Sequence, residues 1–466
     1  MLHSLLSYGD NLHYEKFADG SVKCIEDEVP FGLPDGWAWV RLGNLSAAIQ
    51  YGLSNSAEPQ GTHRLLRITD IQDGKVDWNA VPFTTVNDPE AYLLKTGDIV
   101  FARTGATVGK SFLITETPYP SVYASYLIRI RLLGSLSPEY IYQFFDSACY
   151  WSQITDKSVG VGQPNCNGTS LKELFIPLPP ISEQLRIVPT AQALLAYVAK
   201  IDAEKKSLLS IIMATKSKIL DLAIRGQLIP QDPNDEPASV LLERIRAEKE
   251  ELIKQGKIKR DKKESVIFRG EDNSYYEKIG GKVENISDEI PFELPEGWAW
   301  CRGYSCFEGM ESTKPQGDFF DYIDIDAIDN RLHCIKEAKH LPVSDAPSRA
   351  SRAVKDGSVL FSLVRPYLEN IALVEEKHSN CIASTGFYVC NSNGVLLPEF
   401  MFFLMISGYV VNGLNQYMKG DNSPSISKDN IGNWLYPAPP VGEQQTICAK
   451  LKTVFTLVEN VEKSLN

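Results

Sequence analysis

IVPTAQALLAYVAKIDAEKKSLLSIIMATKSKILDLAIRG, residues 187–226, is the stretch that decides the fold. Its seam positions step by four and three, and only Lys205 and Thr215 break the apolar pattern: Ile187, Ala191, Leu194, Val198, Ile201, Lys205, Leu208, Ile212, Thr215, Ile219 and Leu222. Such a repeat is typical of a helix that packs along another helix. Residues 190–225 predict a rod of about 54 Å at 1.5 Å per residue, with Pro189 kinking the helix or delaying its start. A long core helix of one large domain is the alternative for this stretch alone.

The sequence repeats itself at an offset of about 260 residues. EVPFGLPDGWAW at 28–39 returns as EIPFELPEGWAW at 289–300, and PLPPISEQ at 177–184 returns as PAPPVGEQ at 437–444. The apolar seam returns as well, in residues 447–465. An offset that stays nearly constant over so long a stretch indicates that a whole domain, with its following helix, is duplicated.

Each half consists of short apolar segments separated by Gly, Pro, Asn and Asp, together with one helix-like stretch, PEYIYQFFDS or PEFMFFLMIS. The predicted fold class is therefore α+β with two pseudo-repeated globular domains, in which loops are expected to carry recognition. The predicted segments are a first globular domain at 1–180, a central helix at 181–227, a connector with a short helix at 228–275, a second globular domain at 276–440 and a shortened C-terminal helix at 441–466.

Composition favours a cytoplasmic globular protein. Of the 466 residues, 43% are hydrophobic and 23% are charged, and the nine cysteines form no CxxC pair, which favours reduced thiols. The N-terminus lacks a secretion signal, and the longest apolar run, residues 400–411, is too short to span a bilayer. A net charge of −12 argues against a strongly basic nucleic-acid-binding module.

Signs of catalysis are absent from the sequence. The six histidines have no spacing typical of a metal site or a catalytic triad. GATVGKS at 105–111 is similar to a phosphate-binding P-loop, but three residues separate its glycines where that loop has four, and the second half has no equivalent. We therefore expect no metal, no cofactor and no enzymatic activity in this chain.

Two polar loops in each half are the candidate binding elements. The first follows a strand, and its candidate residues are Arg103, Thr104, Gly105 and Lys110 in one half and Arg365, Tyr367 and Asn370 in the other. The second precedes the Pro-Pro motif, and its candidates are Gln163, Asn165 and Asn167 in one half and Lys419, Asn422, Ser425 and Ser427 in the other. Such groups suit phosphate and base-edge contacts, since Arg can bind guanine and Asn adenine through paired hydrogen bonds. The alternative is that they are ordinary turn and helix-cap residues.

Two variable domains, each introduced by LPxGWxW and closed by a Pro-Pro-x-x-Glu-Gln motif before a helix, resemble the specificity subunit of type I restriction–modification systems. AIRGQLIPQDPNDEPASVLLERIRAE, residues 223–248, is similar to the central conserved segment of that family. The resemblance covers essentially the whole chain. It implies that residues of about 41–176 and 302–436 are target recognition domains, each reading one half of a bipartite, asymmetric site on double-stranded DNA.

The same resemblance implies the partners. The two conserved helices would pack antiparallel as a coiled coil, set the length of the unread spacer and dock two methylation subunits, which bring S-adenosylmethionine. A motor-nuclease restriction subunit would join for cleavage, and this chain would have no catalytic activity of its own. Because neither globular half is strongly basic, we expect tight DNA binding only together with the methylation subunits.

Two features depart from the family pattern. The C-terminal helix is shorter than the central one, and the N-terminal text at 8–14 is similar to residues 272–276 at the end of the connector. Two other interpretations stay open: a recognition subunit of another multi-subunit restriction–modification type, and a stand-alone DNA-binding or coiled-coil scaffold protein.

Overall fold

The chain divides into two units, residues 1–202 and 203–466. In the computed structural model, the described residues are 4–7, 12–17, 19–72, 74–158, 165–258, 260 and 262–465. Both units mix short strands with helices, which confirms the predicted α+β class. Within the described ranges, no helix is long and apolar enough to cross a membrane.

Unit 1 is built around a four-stranded antiparallel sheet. The strands of the unit are β1 Ser4–Ser7, β2 His13–Lys16, β3 Val22–Cys24, β4 Ala38–Arg41, β5 Ser46–Tyr51, β6 His63–Leu66, β7 Ile71–Gln72, β8 Lys75–Val76, β9 Phe83–Thr84, β10 Ile99–Ala102, β11 Ser111–Leu113, β12 Ser121–Tyr123, β13 Leu127–Leu132 and β14 Phe175–Leu178. The helices are α1 Leu42–Leu45, α2 Pro138–Phe144, α3 Ala148–Lys157, α4 Gly168–Lys172 and the first part of α5 Ile181–Ile224. The central sheet has the order β11-β10-β13-β5, and α2 and α3 share its main core.

Two sheets of unit 2 share one core cluster, and the unit has further two- and three-stranded sheets. The strands are β15 Ser265–Arg269, β16 Tyr275–Ile279, β17 Lys282–Asn285, β18 Ala299–Arg302, β19 Phe319–Ile323, β20 Ile328–Asp329, β21 Cys334–Ile335, β22 Lys339–Pro342, β23 Ala350–Ala353, β24 Val359–Ser362, β25 Ile371–Leu373, β26 Ile382–Ser384, β27 Phe387–Cys390 and β28 Leu435–Ala438. The helices after α5 are α6 Ala238–Lys254, α7 Gly303–Cys306, α8 Pro398–Met405, α9 Gly408–Asn415, α10 Lys428–Asn433 and α11 Val441–Ser464. The two sheets that share the core cluster have the orders β25-β24-β27 and β22-β19-β26-β23.

The same frame closes each unit. β4 pairs antiparallel with β14, as β18 does with β28, so each tryptophan motif lies beside the strand that leads into its Glu-Gln motif. Trp37 Nε1 donates to the Glu183 carboxylate at 3.2 Å, and Trp298 Nε1 donates to that of Glu443 at 2.8 Å. These hydrogen bonds explain why both motifs recur at matching positions.

A half-buried arginine with two glutamates completes the frame. Arg41 Nη2 lies 2.9 Å from Glu15 and 2.8 Å from Glu28. The equivalent set in unit 2 is Arg302, Glu277 and Glu289. Glu15 lies on β2 of the sheet β1-β2-β3, and its counterpart lies on β16 of the sheet β15-β16-β17. The similarity between the N-terminus and the end of the connector therefore reflects a repeated three-stranded sheet.

Helix α5 begins at Ile181, where the predicted central helix segment, 181–227, begins. It runs to Ile224, 44 residues with Pro189 inside it, so Pro189 does not delay the start to Thr190. The Glu-Gln motif itself forms the first turn, in which the Gln184 amide donates to the Pro180 carbonyl at 3.0 Å. Pro189 removes the hydrogen bond to the carbonyl of residue 185, which belongs to an exposed leucine that water can reach.

Within unit 2, the end of α5 packs on α11. The residues of the two helices that share one core cluster are Leu220, Ala223 and Ile224, and Ile447, Cys448 and Leu451. Earlier on α5, Lys216 Nζ lies 3.1 Å from Glu462 Oε2 near the end of α11, so the two helices run antiparallel there. In unit 1, the seam residues Leu194, Val198 and Ile201 are exposed. A coiled coil along the whole seam stays a prediction.

Candidate nucleic-acid interface

In unit 1 the two candidate loops lie side by side. An antiparallel β-bridge joins Thr104 to Asn165, and the Cys166 amide donates to the Arg103 carbonyl at 2.9 Å. Residues that are distant in sequence thus form one polar surface. Gln163, the other candidate of the second loop, lies outside the described residues.

Arg103 is held against Tyr51, the last residue of β5. Its Cζ lies 5.0 Å from the centroid of the tyrosine ring, within cation–π range. The Tyr51 hydroxyl accepts a hydrogen bond from the Gly168 amide at 2.8 Å. Among the described residues, Arg103 Nε and Asn165 Oδ1 are buried and have no hydrogen-bond partner. Because most buried polar atoms in folded proteins are paired, these two side chains have binding capacity that the unit does not use.

The buried side chain of Tyr150 fixes the C-terminal end of the first loop, at Gly109. Tyr150 donates to the Gly109 carbonyl at 2.6 Å, and burial raises the pKa of Tyr150 well above its ordinary value, so it remains a donor. Gly109 has φ +88°, and a Cβ there would lie 2.6 Å from the Trp151 ring. Lys110 is exposed next to this turn. Strand β11 follows at Ser111, whereas a P-loop leads into a helix, so the loop is not a P-loop.

Three candidates have local structural roles. Asn167 caps α4, with its Oδ1 accepting from the Ser170 amide at 2.9 Å. Ser427 caps α10, with its Oγ accepting from the Asn430 amide at 3.3 Å. Gly105 opens a short 3-10 turn with φ +72°. The helix-cap alternative therefore describes the first two, although both remain exposed beside the loops.

In unit 2 the loops meet at the matching place. A β-bridge joins Val364 to Ser425, and a second joins Lys419 to Ser425. The Arg365 amide donates to the Pro424 carbonyl at 2.7 Å. The first bridge is the counterpart, about 260 residues on, of the bridge in unit 1.

The first loop of unit 2 has an unusual backbone. Arg365 and Glu369 adopt left-handed φ values of +48° and +54° on either side of a 3-10 turn, a conformation that costs about 1 kcal/mol or more for residues other than glycine. The Arg365 guanidinium donates to the Asn422 carbonyl at 2.9 Å. Tyr367 is 47% exposed, whereas Asn370 is only 8% exposed. The turn therefore presents Arg365 and Tyr367 to solvent and turns Asn370 inward.

Comparison with known proteins gives a consistent assignment. Residues 34–211 match the family model of the type I restriction modification DNA specificity domain. The chain is 24% identical to the specificity subunits of the type I restriction enzymes EcoAI and EcoEI of Escherichia coli, over 91% and 94% of its own length and 78% and 81% of theirs. A solved chain from a type I restriction–modification system shares its fold, with 17% identity, 94% coverage of each chain and a TM-score of 0.60.

In sequence, the chain is similar to DNA-specificity components of restriction–modification systems. The relatives that match nearly its whole length are named as type I specificity subunits, the family that the sequence resembles. Within the described ranges, no group of three His, Cys, Asp or Glu side chains could hold a metal ion.

Sequence reasoning missed the residues that support the loops. Tyr51 and Tyr150 carry no sequence signal, because each acts through a partner that only the folded chain brings near. Tyr51 ends a strand, and Tyr150 lies inside α3. Once the strand order is known, an exposed tyrosine at the end of a strand beside a polar loop indicates a residue that supports the loop.

Proposed function

We propose that each unit reads one half of a bipartite, asymmetric site on double-stranded DNA. The observation that carries the proposal is the meeting of two polar loops at the same place in both units, through the Thr104–Asn165 and Val364–Ser425 bridges. The frame is repeated around these loops, whereas the loop sequences differ. Two different half-sites are therefore expected.

The side-chain types in the loops fit direct reading of bases. A guanidinium such as that of Arg103 or Arg365 can form paired hydrogen bonds with guanine, and an amide such as that of Asn165 can do so with adenine. Lys110 and Lys419 are exposed next to them and suit phosphate contacts, which position a protein without specifying sequence.

The net charge of −12 is compatible with this role. In the described part of the chain, Arg103, Lys110 and Lys419 have no carboxylate partner, so the cations at the loops are not neutralised by the protein itself. The acidic excess lies elsewhere and opposes nonspecific attraction to DNA. We therefore expect weak binding by the isolated chain and tight binding in an assembly.

We also propose that α5 and α11 set the unread spacer and dock two methylation subunits. These subunits would bring S-adenosylmethionine, and motor-nuclease restriction subunits would join for cleavage, in the cytoplasm. An exposed apolar face on α5 supports this proposal: Leu194, Leu195, Tyr197, Val198 and Ile201 are all exposed. A row of this kind is typical of an interaction surface.

Co-expression with the neighbouring methylation gene, followed by methylome sequencing, tests the proposal. A new bipartite methylated motif that requires this chain is expected. Replacing residues 41–176 with the corresponding domain of another family member should change one half of the motif and leave the other intact. Methylation that is independent of this chain, or a swap that changes both halves, would contradict the proposal.

A further inference from the structure

Arg352 is a buried cation whose counter-charge is missing among the described residues. It lies on β23, only 8% of the residue is exposed, and its Nε has no hydrogen-bond partner in the part of the chain that the structure describes. No carboxylate in the described part of the chain pairs with its guanidinium. Arg41 and Arg302, by contrast, are each held by two glutamates.

This arrangement is unfavourable for the free protein. A guanidinium stays protonated at any physiological pH, so it cannot avoid burial by losing its charge. Burial of a charge that lacks a partner destabilises a fold unless an opposite charge reaches it. The missing partner of Arg352 is therefore expected to be an anion from outside the unit, and planar, paired donors match phosphate oxygens well.

A continuous path of backbone hydrogen bonds joins the strand of Arg352 to the recognition loops of unit 2. Beside β23, the Thr385 amide donates to the Arg349 carbonyl at 2.8 Å. The carbonyl of the next residue, Gly386, accepts from the Leu363 amide at 2.8 Å. The Leu363 carbonyl accepts from the Ile426 amide at 2.9 Å. The segment that carries Arg352 is thus linked through backbone hydrogen bonds to the segments that carry the two loops.

A second cation lies close to Arg352. Burial and the charge of Arg352 both lower the pKa of Lys428, the first residue of α10. The neighbouring carboxylate, Asp429, is already held by Lys263 at 2.8 Å and by the hydroxyl of Tyr304. Lys428 consequently has no carboxylate partner in the described ranges either.

We propose that Arg352 and Lys428 form a site for a DNA backbone phosphate at the edge of the recognition loops of unit 2. The inference rests on the proposed function and deepens it. The site holds the duplex in position beside Arg365, which then meets base edges. Its contribution to binding is independent of sequence and sensitive to salt.

Salt-dependent binding of the chain assembled with its methylation subunits tests the site. Dissociation constants for Arg352→Met and Lys428→Met are measured on duplex DNA with and without the methylated motif, between about 50 and 200 mM salt. Each variant should lower the slope of log affinity against log salt by about 0.9, which makes its deficit about 3.5-fold larger at the low-salt end. The loss should be equal on both duplexes. Lys377→Met, which removes an exposed lysine already paired with Glu375 at 2.8 Å, is the matched control and should leave the slope unchanged.

Stability separates this role from a structural one. Arg352→Met removes an unpaired buried charge, so its unfolding midpoint should equal or exceed that of the wild type while DNA binding falls. Unchanged slopes in both variants would overturn the site. If Arg352→Met does not fold, the test rests on Lys428→Met, because Lys428 is exposed. An unchanged slope of log affinity against log salt in that variant overturns the proposal. If no methylated motif is found, the proposed function is wrong. The salt slopes measured on nonspecific duplex DNA still test the phosphate site in that case.

Discussion

Replacing Gln444 with alanine should destabilise unit 2 selectively. Gln444 is 0% exposed, accepts from the Leu397 amide at 2.7 Å, and donates to the carbonyls of Val395 at 2.9 Å and Pro439 at 3.0 Å. At about 1–1.5 kcal/mol for each of the three hydrogen bonds, Gln444→Ala should cost about 3–4.5 kcal/mol. Its counterpart Gln184 makes two such bonds, to residues 137 and 179, so Gln184→Ala should cost about 2–3 kcal/mol in unit 1.

Hydrogen-exchange mass spectrometry can measure both effects, because peptides report each unit separately. At 1.4 kcal/mol per factor of ten, Gln444→Ala should reduce the protection of core strands in unit 2 by about 10²–10³-fold. Gln445→Ala, one residue on and exposed, is the control and should leave protection unchanged. A loss below about tenfold, or an equal loss in both units, would refute the idea that this glutamine anchors the helix start of its own unit.

Three further outcomes are expected. Tyr51→Leu removes the ring beneath Arg103 and should reduce methylation at one half-motif by about tenfold. Tyr51→Phe keeps the ring and should reduce this methylation less. Methylome sequencing measures both variants, and an effect on both half-motifs would contradict the assignment. Inserting four helical residues after Lys205 lengthens α5 by about 6 Å and should lengthen the unread spacer by roughly two base pairs, with both half-motifs unchanged. Burial raises the pKa of Glu277, but hydrogen bonds from Arg302 and another side chain outweigh it and hold that pKa below the ordinary 4.5. The stabilisation is therefore present above pH 4.5 and lost as pH falls through the lower folded-state value, so Glu277→Gln should flatten the pH dependence of urea midpoints in this acid range.

The duplicated frame could be predicted from the sequence because its contacts join residues that are themselves repeated. The Trp298–Glu443 hydrogen bond and its counterpart in unit 1 both lie inside motifs that an offset comparison detects. Whether the helix continues through Pro189 could not be predicted, because a proline locally favours a kink or a later start, whereas the preceding Glu-Gln turn is stabilised by tertiary contacts. At this position, tertiary packing outweighs the local preference of proline.

The roles of the candidate loop residues could not be predicted from the sequence. Their types suggested DNA contacts, but type alone cannot tell a base-reading asparagine from one that caps a helix or points into the core. Asn165, Asn167 and Asn370 have the same side chain, yet one joins the two loops, one caps α4 and one is buried. Backbone conformation decides among these roles, and it depends on partners that are distant in sequence.

The separation of frame and loops has a functional consequence. Each unit has its own Trp–Glu, Gln and Arg–Glu–Glu contacts, and no candidate loop residue takes part in them. Substitutions at the loops can therefore change the side chains presented without breaking the frame. The same bridge position carries a glycine-rich turn in unit 1 and a left-handed arginine in unit 2. A duplicated fold with unequal loops is the arrangement that reading an asymmetric site requires, because identical loops would favour two identical half-sites.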